Sequence, residues 1–141
     1  MISFALNSRS WLECLVRLWQ TFLMQFFSSF SMDPIILVHG GAWDIPDELV
    51  SAHRRGVKEA VISGMNALAF SAVDAVEAAV SSMEDDPTFD AGIGSFLNRD
   101  GKVELDAAII EGTSMQAGAV GAVHRIRNPI KLARIVMEKC D

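Results

Sequence analysis

The 141-residue chain holds only two cysteines, Cys14 and Cys140, which stand near opposite ends. Neither belongs to a Cys-x-x-Cys pair or a Cys/His cluster. That argues against a structural zinc site or a disulfide framework and makes a reducing compartment the default. No Lys/Arg stripe interleaves with aromatic residues, and the formal charge is -6 with a pI near 5.0. A nucleic-acid partner is therefore not expected. Long apolar runs are missing too: the longest charge-free stretch after Arg17 is Leu18 to Met32, 15 residues, short of the roughly 20 that a membrane-spanning helix needs.

Several catalytic signatures are also absent. His39-Gly40-Gly41 resembles the start of a lipase oxyanion loop, but no G-x-S-x-G accompanies it, since Gly92-Ile93-Gly94-Ser95-Phe96 has the wrong order. The same stretch fails the dinucleotide fingerprint because Leu97 replaces the third glycine, and there is no P-loop. His39, His53 and His124 have no metal-ligand spacing, and His53 is expected on a helix surface. Glu84, Asp85, Asp86 and Asp90 form an acidic cluster whose spacing does not match an EF-hand. It reads as a solvated helix end.

What is present changes character at Met32. Residues 1–31 carry two of the three tryptophans, five of the eight phenylalanines and only three charged residues, with no glycine or proline. This atypical apolar N-terminal extension admits three readings: a targeting peptide, with mitochondrial import the form its Arg and Ser content suits; an interfacial amphipathic helix; or a non-functional extension upstream of a start at Met32. Without targeting, the location expected is cytoplasmic.

Residues 32–141 have the pattern of a soluble α/β domain, and half of the whole chain is hydrophobic, enough for a core. Ile35 to Val38 is a short apolar run read as a buried strand. It runs into His39-Gly40-Gly41, where two glycines permit backbone angles closed to other residues. Pro46, Asp47 and Glu48 mark a helix start, after which Val57, Val61, Met65 and Leu68 recur at helical spacing. A second helix starts at Ser71, an N-cap, with Val73, Val76, Val80 and Met83 as its apolar stripe, and Glu84-Asp85-Asp86-Pro87 stops it. Asn98-Arg99-Asp100-Gly101 reads as a hairpin turn. Val103 to Ala107 and Met115 to Val123 read as strands, the second rich in small residues that suit close-packed backbone. Asn128-Pro129 opens a last helix that runs through Lys139. Grouped strands with helices on one side give an α+β class.

Singly, these signals are weak, but their order is specific. Ile35 to Trp43, Ser71 to Val80, Asp86 to Ser95, Leu97-Asn98, Val103 to Ala107, Ala117 to Val120 and Arg127 to Arg134 together resemble the α-subunit of the isoaspartyl peptidase/L-asparaginase family of N-terminal-nucleophile (Ntn) hydrolases. The likeness covers residues 32–141, so this segment is expected to be a partial Ntn-hydrolase domain, the α-subunit half of an αββα sandwich.

The resemblance implies a threonine-type amidohydrolase. Family precursors cleave themselves at a glycine–threonine bond, and the liberated threonine uses its own amino group as base. Its substrates are asparagine, at the side-chain amide, and isoaspartyl dipeptides. Gly112-Thr113 looks like that dipeptide but falls in a block matching a non-catalytic turn, so no catalytic threonine is assigned to this chain. Gly40, Gly41 and Asp90 are the active-site loop residues that the resemblance supplies. Asp90 stands where many members carry an asparagine. An ionised aspartate accepts but does not donate and would suit an ammonium. No organic cofactor is implied. A structural sodium ion is, held by the backbone carbonyls of Met83, Glu84, Asp86, Phe89, Ala91 and Ile93, since a hard cation takes oxygen ligands.

The implied partner is the missing β-subunit half, and a homo- or hetero-dimer with full-length enzyme is a further expectation. Alone, the 141 residues are expected to be inactive and, with uncovered sheet surfaces, poorly soluble. The alternatives are a non-catalytic interaction fragment that pairs with full-length enzyme, and an incomplete gene model. One departure from the family pattern lies at Asn66 to Ser71, where a Gly-Gly pair is missing and two fused helices, or a distorted packing, are the expected results.

Overall fold

A computed structural model of the chain describes residues 33–139. The N-terminal extension and both cysteines lie outside these residues. The chain divides at Ile35 into two compact units, and the second contains every described element. These are α1 (Asp47–Ala67), α2 (Ala72–Glu84), a 3-10 turn (Gly92–Gly94), β1 (Leu105–Glu111), β2 (Gln116–Val123) and α3 (Pro129–Lys139). The observed class is α+β: three helices and one two-stranded antiparallel sheet.

α1 begins behind Pro46 with Asp47 and Glu48 in its first turn, where carboxylates meet the positive end of the helix dipole. Its buried face is made of His53, Gly56, Ala60 and Gly64, not the valine and methionine stripe that the spacing suggested. Met65 is exposed. The reason is close approach to α2. A methyl placed on Gly64 would stand 2.9 Å from the Ala75 carbonyl oxygen and 3.2 Å from the Ala79 Cβ. Small residues let the two helices touch backbone to side chain, and the larger apolar residues are displaced outward. In α2 likewise Ala75 and Ala79 are buried while Val76 is exposed.

The helices are not fused. α1 ends at Ala67, the Leu68 amide closes back on the Gly64 and Met65 carbonyls, and α2 starts afresh after Ser71. The Ser71 hydroxyl accepts the Asp74 amide at 3.0 Å, the N-cap bond expected of serine. No glycine is needed at this junction because Leu68 keeps right-handed helical angles.

Two strand expectations change. Residues 35–38 join no strand ladder among the described residues. They alternate in exposure like a strand, with Leu37 93 % exposed and Ile36 and Val38 half-buried, yet no described strand pairs with them. The turn at Asn98 to Gly101 forms, with Gly101 at φ 72° and the Asn98 side-chain oxygen accepting the Asp100 and Lys102 amides. It is not the sheet hairpin. The strand that follows spans 105–111, later than the alternation at 103–107 implied, and pairs with β2 across the Gly112 to Met115 turn. Thr113 sits in that turn.

β2 carries an extra residue between the pairs Leu105–Val123 and Ala107–Val120. The bulge places Ala122 at φ 51°, and its amide donates to the Asp106 carboxylate at 2.6 Å. α3 lies on one face of the sheet. Ile109 from β1 packs with Ile130, Ala133 and Met137 from α3, joined by Val73, Val80, Ala107 and Val120. The small residues of β2 do face close-packed backbone: a methyl on Gly118 would come within 2.1 Å of the Ala133 carbonyl oxygen.

Candidate functional site

The turn His39-Gly40-Gly41 is closed by its own first residue, whose ring Nδ1 accepts the Gly41 amide at 3.2 Å. Gly41 takes φ 105°, a conformation L side chains rarely adopt. Gly40 is restricted from outside instead. A methyl there would stand 2.7 Å from a Val57 methyl and 3.2 Å from the Phe89 ring. The glycine turn is therefore seated on α1 and on the loop that carries Asp90.

Asp90 is exposed, and one of its carboxylate oxygens accepts the Phe96 amide at 2.9 Å. Gly41 and Asp90 line one cleft of about 730 Å³, together with Trp43, His53, Phe89 and Phe96. Two of the three active-site residues expected from sequence thus meet at one opening. Gly40 lies just behind it, beside Gly41, His53 and Val57.

His53 is the residue that the sequence reading misplaced. It is 6 % exposed, and its ring lies 5.8 Å from Trp43 and 5.6 Å, edge-on, from Phe89. Its Nδ1 is 3.0 Å from the Leu49 carbonyl oxygen. A carbonyl only accepts, so Nδ1 donates this bond. The available signal was the spacing of His53, Gly56, Ala60 and Gly64, which puts the histidine on the same buried face as three small residues.

The acidic cluster is not a solvated helix end. Glu84 is 3 % exposed and one of its oxygens accepts the Ile130 amide at 3.0 Å. Burial pushes its carboxyl up from the ordinary range, opposed by that bond and by Asn128. Asp85 is paired with Arg127 at 2.8 Å and accepts from Asn128 at 3.2 Å, and the guanidinium holds its carboxyl below the usual value. Asp86 turns inward to accept the Thr88 amide at 2.9 Å. The four acids divide into a cap, an ion pair, a turn and one open carboxylate at the cleft.

Among the described residues no three His, Cys, Asp or Glu side chains cluster around a metal position. The six residues of the expected sodium loop fall within one stretch, 83–93. Met83 and Glu84 end α2, Asp86, Phe89 and Ala91 form the following loop, and Ile93 lies in the 3-10 turn. The loop is wound tightly on its carbonyls. A methyl on Gly92 would come within 2.1 Å of the Glu84 carbonyl oxygen, and one on Gly94 within 2.1 Å of the Phe89 carbonyl oxygen. Neither of those two oxygens accepts a loop or turn backbone hydrogen bond among the described residues. The carbonyls of Met83, Asp86 and Ala91 do, taking the Asp86, Phe89 and Gly94 amides, so each has one lone pair left where a hard cation would need an oxygen ligand.

A family model described as Asparaginase matches residues 32–141. The chain belongs to the asparaginase family. Among its relatives, the isoaspartyl peptidase/L-asparaginase of Xenopus laevis is 52% identical over 112 residues, 78% of this chain and 36% of that protein. The human protein of the same name is 52% identical over 111 residues, 77% and 36% respectively. The plant-type L-asparaginase of Thermococcus kodakarensis is 52% identical over 108 residues, 75% and 35%. The chain spans about a third of the length of these relatives.

Proposed function

We propose that residues 32–141 provide the α-subunit share of an asparaginase/isoaspartyl peptidase active site. The observation that carries this reading is the meeting of Gly41 and Asp90 at one cleft, with Gly40 packed directly behind. The names of the relatives support the substrate class: the side-chain amide of L-asparagine and isoaspartyl peptide bonds. In this reading the nucleophile is a threonine freed at a new N-terminus by self-cleavage, carried by a β-subunit half that completes the αββα sandwich. The glycine turn offers backbone that such a residue approaches closely, and Asp90 accepts from its ammonium form. Thr113 is not proposed as that nucleophile: it lies in the β1–β2 turn, where its amide donates to the Glu111 carboxylate at 2.9 Å.

The carbonyls of Met83, Glu84, Asp86, Phe89, Ala91 and Ile93 are proposed to hold a structural sodium ion, which would stabilise the loop that carries Asp90. The location proposed is cytoplasmic, with residues 1–31 as a candidate mitochondrial address; no described helix is long and apolar enough to cross a membrane.

Two preparations test this function. The purified 141-residue chain is expected to release no ammonia from asparagine, because its residues present no free threonine amine. Fused to the remaining two-thirds of the human relative, it is expected to yield a self-cleaved protein that does release ammonia. A folded fusion that neither cleaves nor hydrolyses asparagine would refute the proposal.

A second reading, a non-catalytic fragment pairing with full-length enzyme, is favoured by one observation. The sheet face away from α3 is open, with Ile110 70 % exposed, and Met115 at the hairpin is exposed as well. Co-purification with full-length enzyme at a fixed ratio supports it, and monomeric elution from the mixture counts against it.

A further inference from the structure

Beside the glycine turn, α1 carries two cations with no counter-charge. Arg54 and Lys58 are exposed, and neither takes part in an ion pair among the described residues. They stand four residues apart, so both side chains leave one face of the helix, with Cβ atoms about 5–6 Å apart. Val57 lies one turn from Arg54 and next to Lys58, and it is the residue on which the glycine turn rests: a methyl on Gly40 would stand 2.7 Å from a Val57 methyl. Gly40, Gly41, Ile45, Arg54, Val57 and Lys58, with His53, line one pocket of about 340 Å³. The nearest acids in sequence, Asp44, Asp47, Glu48 and Glu59, do not line it. The Gly41 amide is taken by His39, whereas the Gly40 amide makes no hydrogen bond among the described residues.

The lining therefore offers a guanidinium, an ammonium and an uncommitted backbone amide, and no carboxylate. A cation would meet two like charges here. Like charges four residues apart also repel along the helix, and an anion held between them removes that repulsion. A carboxylate neutralises one charge of the two. A phosphate carries close to two negative charges above neutral pH, takes the planar guanidinium fork through two oxygens, and keeps a third oxygen for the ammonium. We propose that the pocket between the glycine turn and α1 binds a phosphate group, held by the side chains of Arg54 and Lys58 with the Gly40 amide as a further donor. The phosphate can be free or a monoester. The site does not require that the chain take part in hydrolysis, so it stands or falls separately from the asparaginase reading.

The test uses the full 141-residue chain carrying 15N-glycine and carbonyl-13C-histidine. That pair singles out the Gly40 amide, because no other glycine follows a histidine. Inorganic phosphate is titrated in one arm and phenyl phosphate in the other, at a pH of about 7.5, where the second phosphate proton is largely lost. Acetate is the control, and chloride holds the ionic strength constant. The expected result is a saturable shift of the Gly40 amide with one or both phosphates, tighter than with acetate; the arm that responds identifies the source. Arg54→Gln and Lys58→Gln, both at exposed positions, should each weaken binding about three- to fivefold, the scale of one solvent-exposed ion pair. Arg55→Gln removes the same charge from an exposed residue outside the pocket and should leave the affinity unchanged. Absence of a saturable Gly40 shift, acetate binding as tightly as phosphate, or equal losses in R54Q, K58Q and R55Q would each overturn the proposal.

Discussion

The carboxylate of Glu84, in the last turn of α2, accepts the backbone amide of Ile130 at 3.0 Å and so caps the first turn of α3. One side chain thereby joins two helices far apart in sequence. Its second oxygen is buried without a hydrogen-bond partner. The site favours an uncharged acceptor, which agrees with the raised carboxyl of Glu84.

Glu84→Ala should destabilise the chain by about 1–3 kcal/mol, because a buried helix-terminal amide loses its only side-chain acceptor. Glu84→Gln keeps an oxygen for the Ile130 amide and removes the poorly solvated charge, so its cost should stay under about 1 kcal/mol. Urea midpoints of the two variants at neutral pH check this. Equal loss in both would show that the charge, not the capping bond, matters.

Much of the fold was legible because it follows from local chemistry. Pro46 with two acids starts α1, Ser71 caps α2, and Asn128-Pro129 opens α3, each signalled by residues within one helical turn. The strands were misjudged where tertiary contact decides. Ile35 to Val38 has a strand's composition but pairs with no described strand, and β1 runs over 105–111 rather than 103–107, whereas Met115 to Val123 was read as a strand and is one. The buried faces of α1 and α2 were misassigned for a related reason: the apolar spacing was real, but the helices approach closely enough that alanine and glycine take the interface. Around the cleft, the ordered motifs singled out Gly40, Gly41 and Asp90, of which Gly41 and Asp90 share one opening. His53 was not among them, since nothing in a lone histidine announces that Trp43 and Phe89 will flank it.

Gly118→Ala tests how tightly α3 sits on the sheet. The added methyl would meet the Ala133 carbonyl oxygen at 2.1 Å and the Met137 amide nitrogen at 2.4 Å. Backbone atoms cannot rotate away, so the helix must lift, at a cost of about 1–3 kcal/mol. Gly112→Ala is the control, with nothing within 4 Å of the new methyl, and should stay within about 0.5 kcal/mol of the parent. Thermal unfolding of both variants decides. A Gly118→Ala protein as stable as the control would mean that α3 does not rest on β2 as described.

Arg134 ties α3 to α2. It donates to Asp74 at 2.6 Å and Glu77 at 3.0 Å, and along its own helix to Glu138 at 2.6 Å. The hydrogen bonds it donates to these carboxylates, that to Glu138 foremost, hold its guanidinium protonated. The group is partly solvated, so the network is screened by salt. Arg134→Met should cost about 1 kcal/mol at low ionic strength and less than half of that in 1 M salt. A loss that does not change with salt would assign the effect to packing of the arginine stem.

The β1–β2 turn provides a pH test with a defined sign. Glu111 accepts the Thr113 amide at 2.9 Å and the Ser114 amide at 2.5 Å, and also the Ser114 hydroxyl. The Ser114 bonds come first among the causes that pull its carboxyl down to about 2 from an ordinary 4.5. A carboxyl whose folded value is depressed stabilises the folded state above its unfolded value, and that contribution disappears as pH falls from about 4.5 through about 2. The side chain is solvent-exposed, so the effect belongs to the turn and should be read there. The Thr113 and Ser114 amide resonances should shift together on acidification with a midpoint near 2, and Glu111→Gln should abolish the transition. A shared midpoint near 4.5 would mean that the carboxylate does not hold the turn.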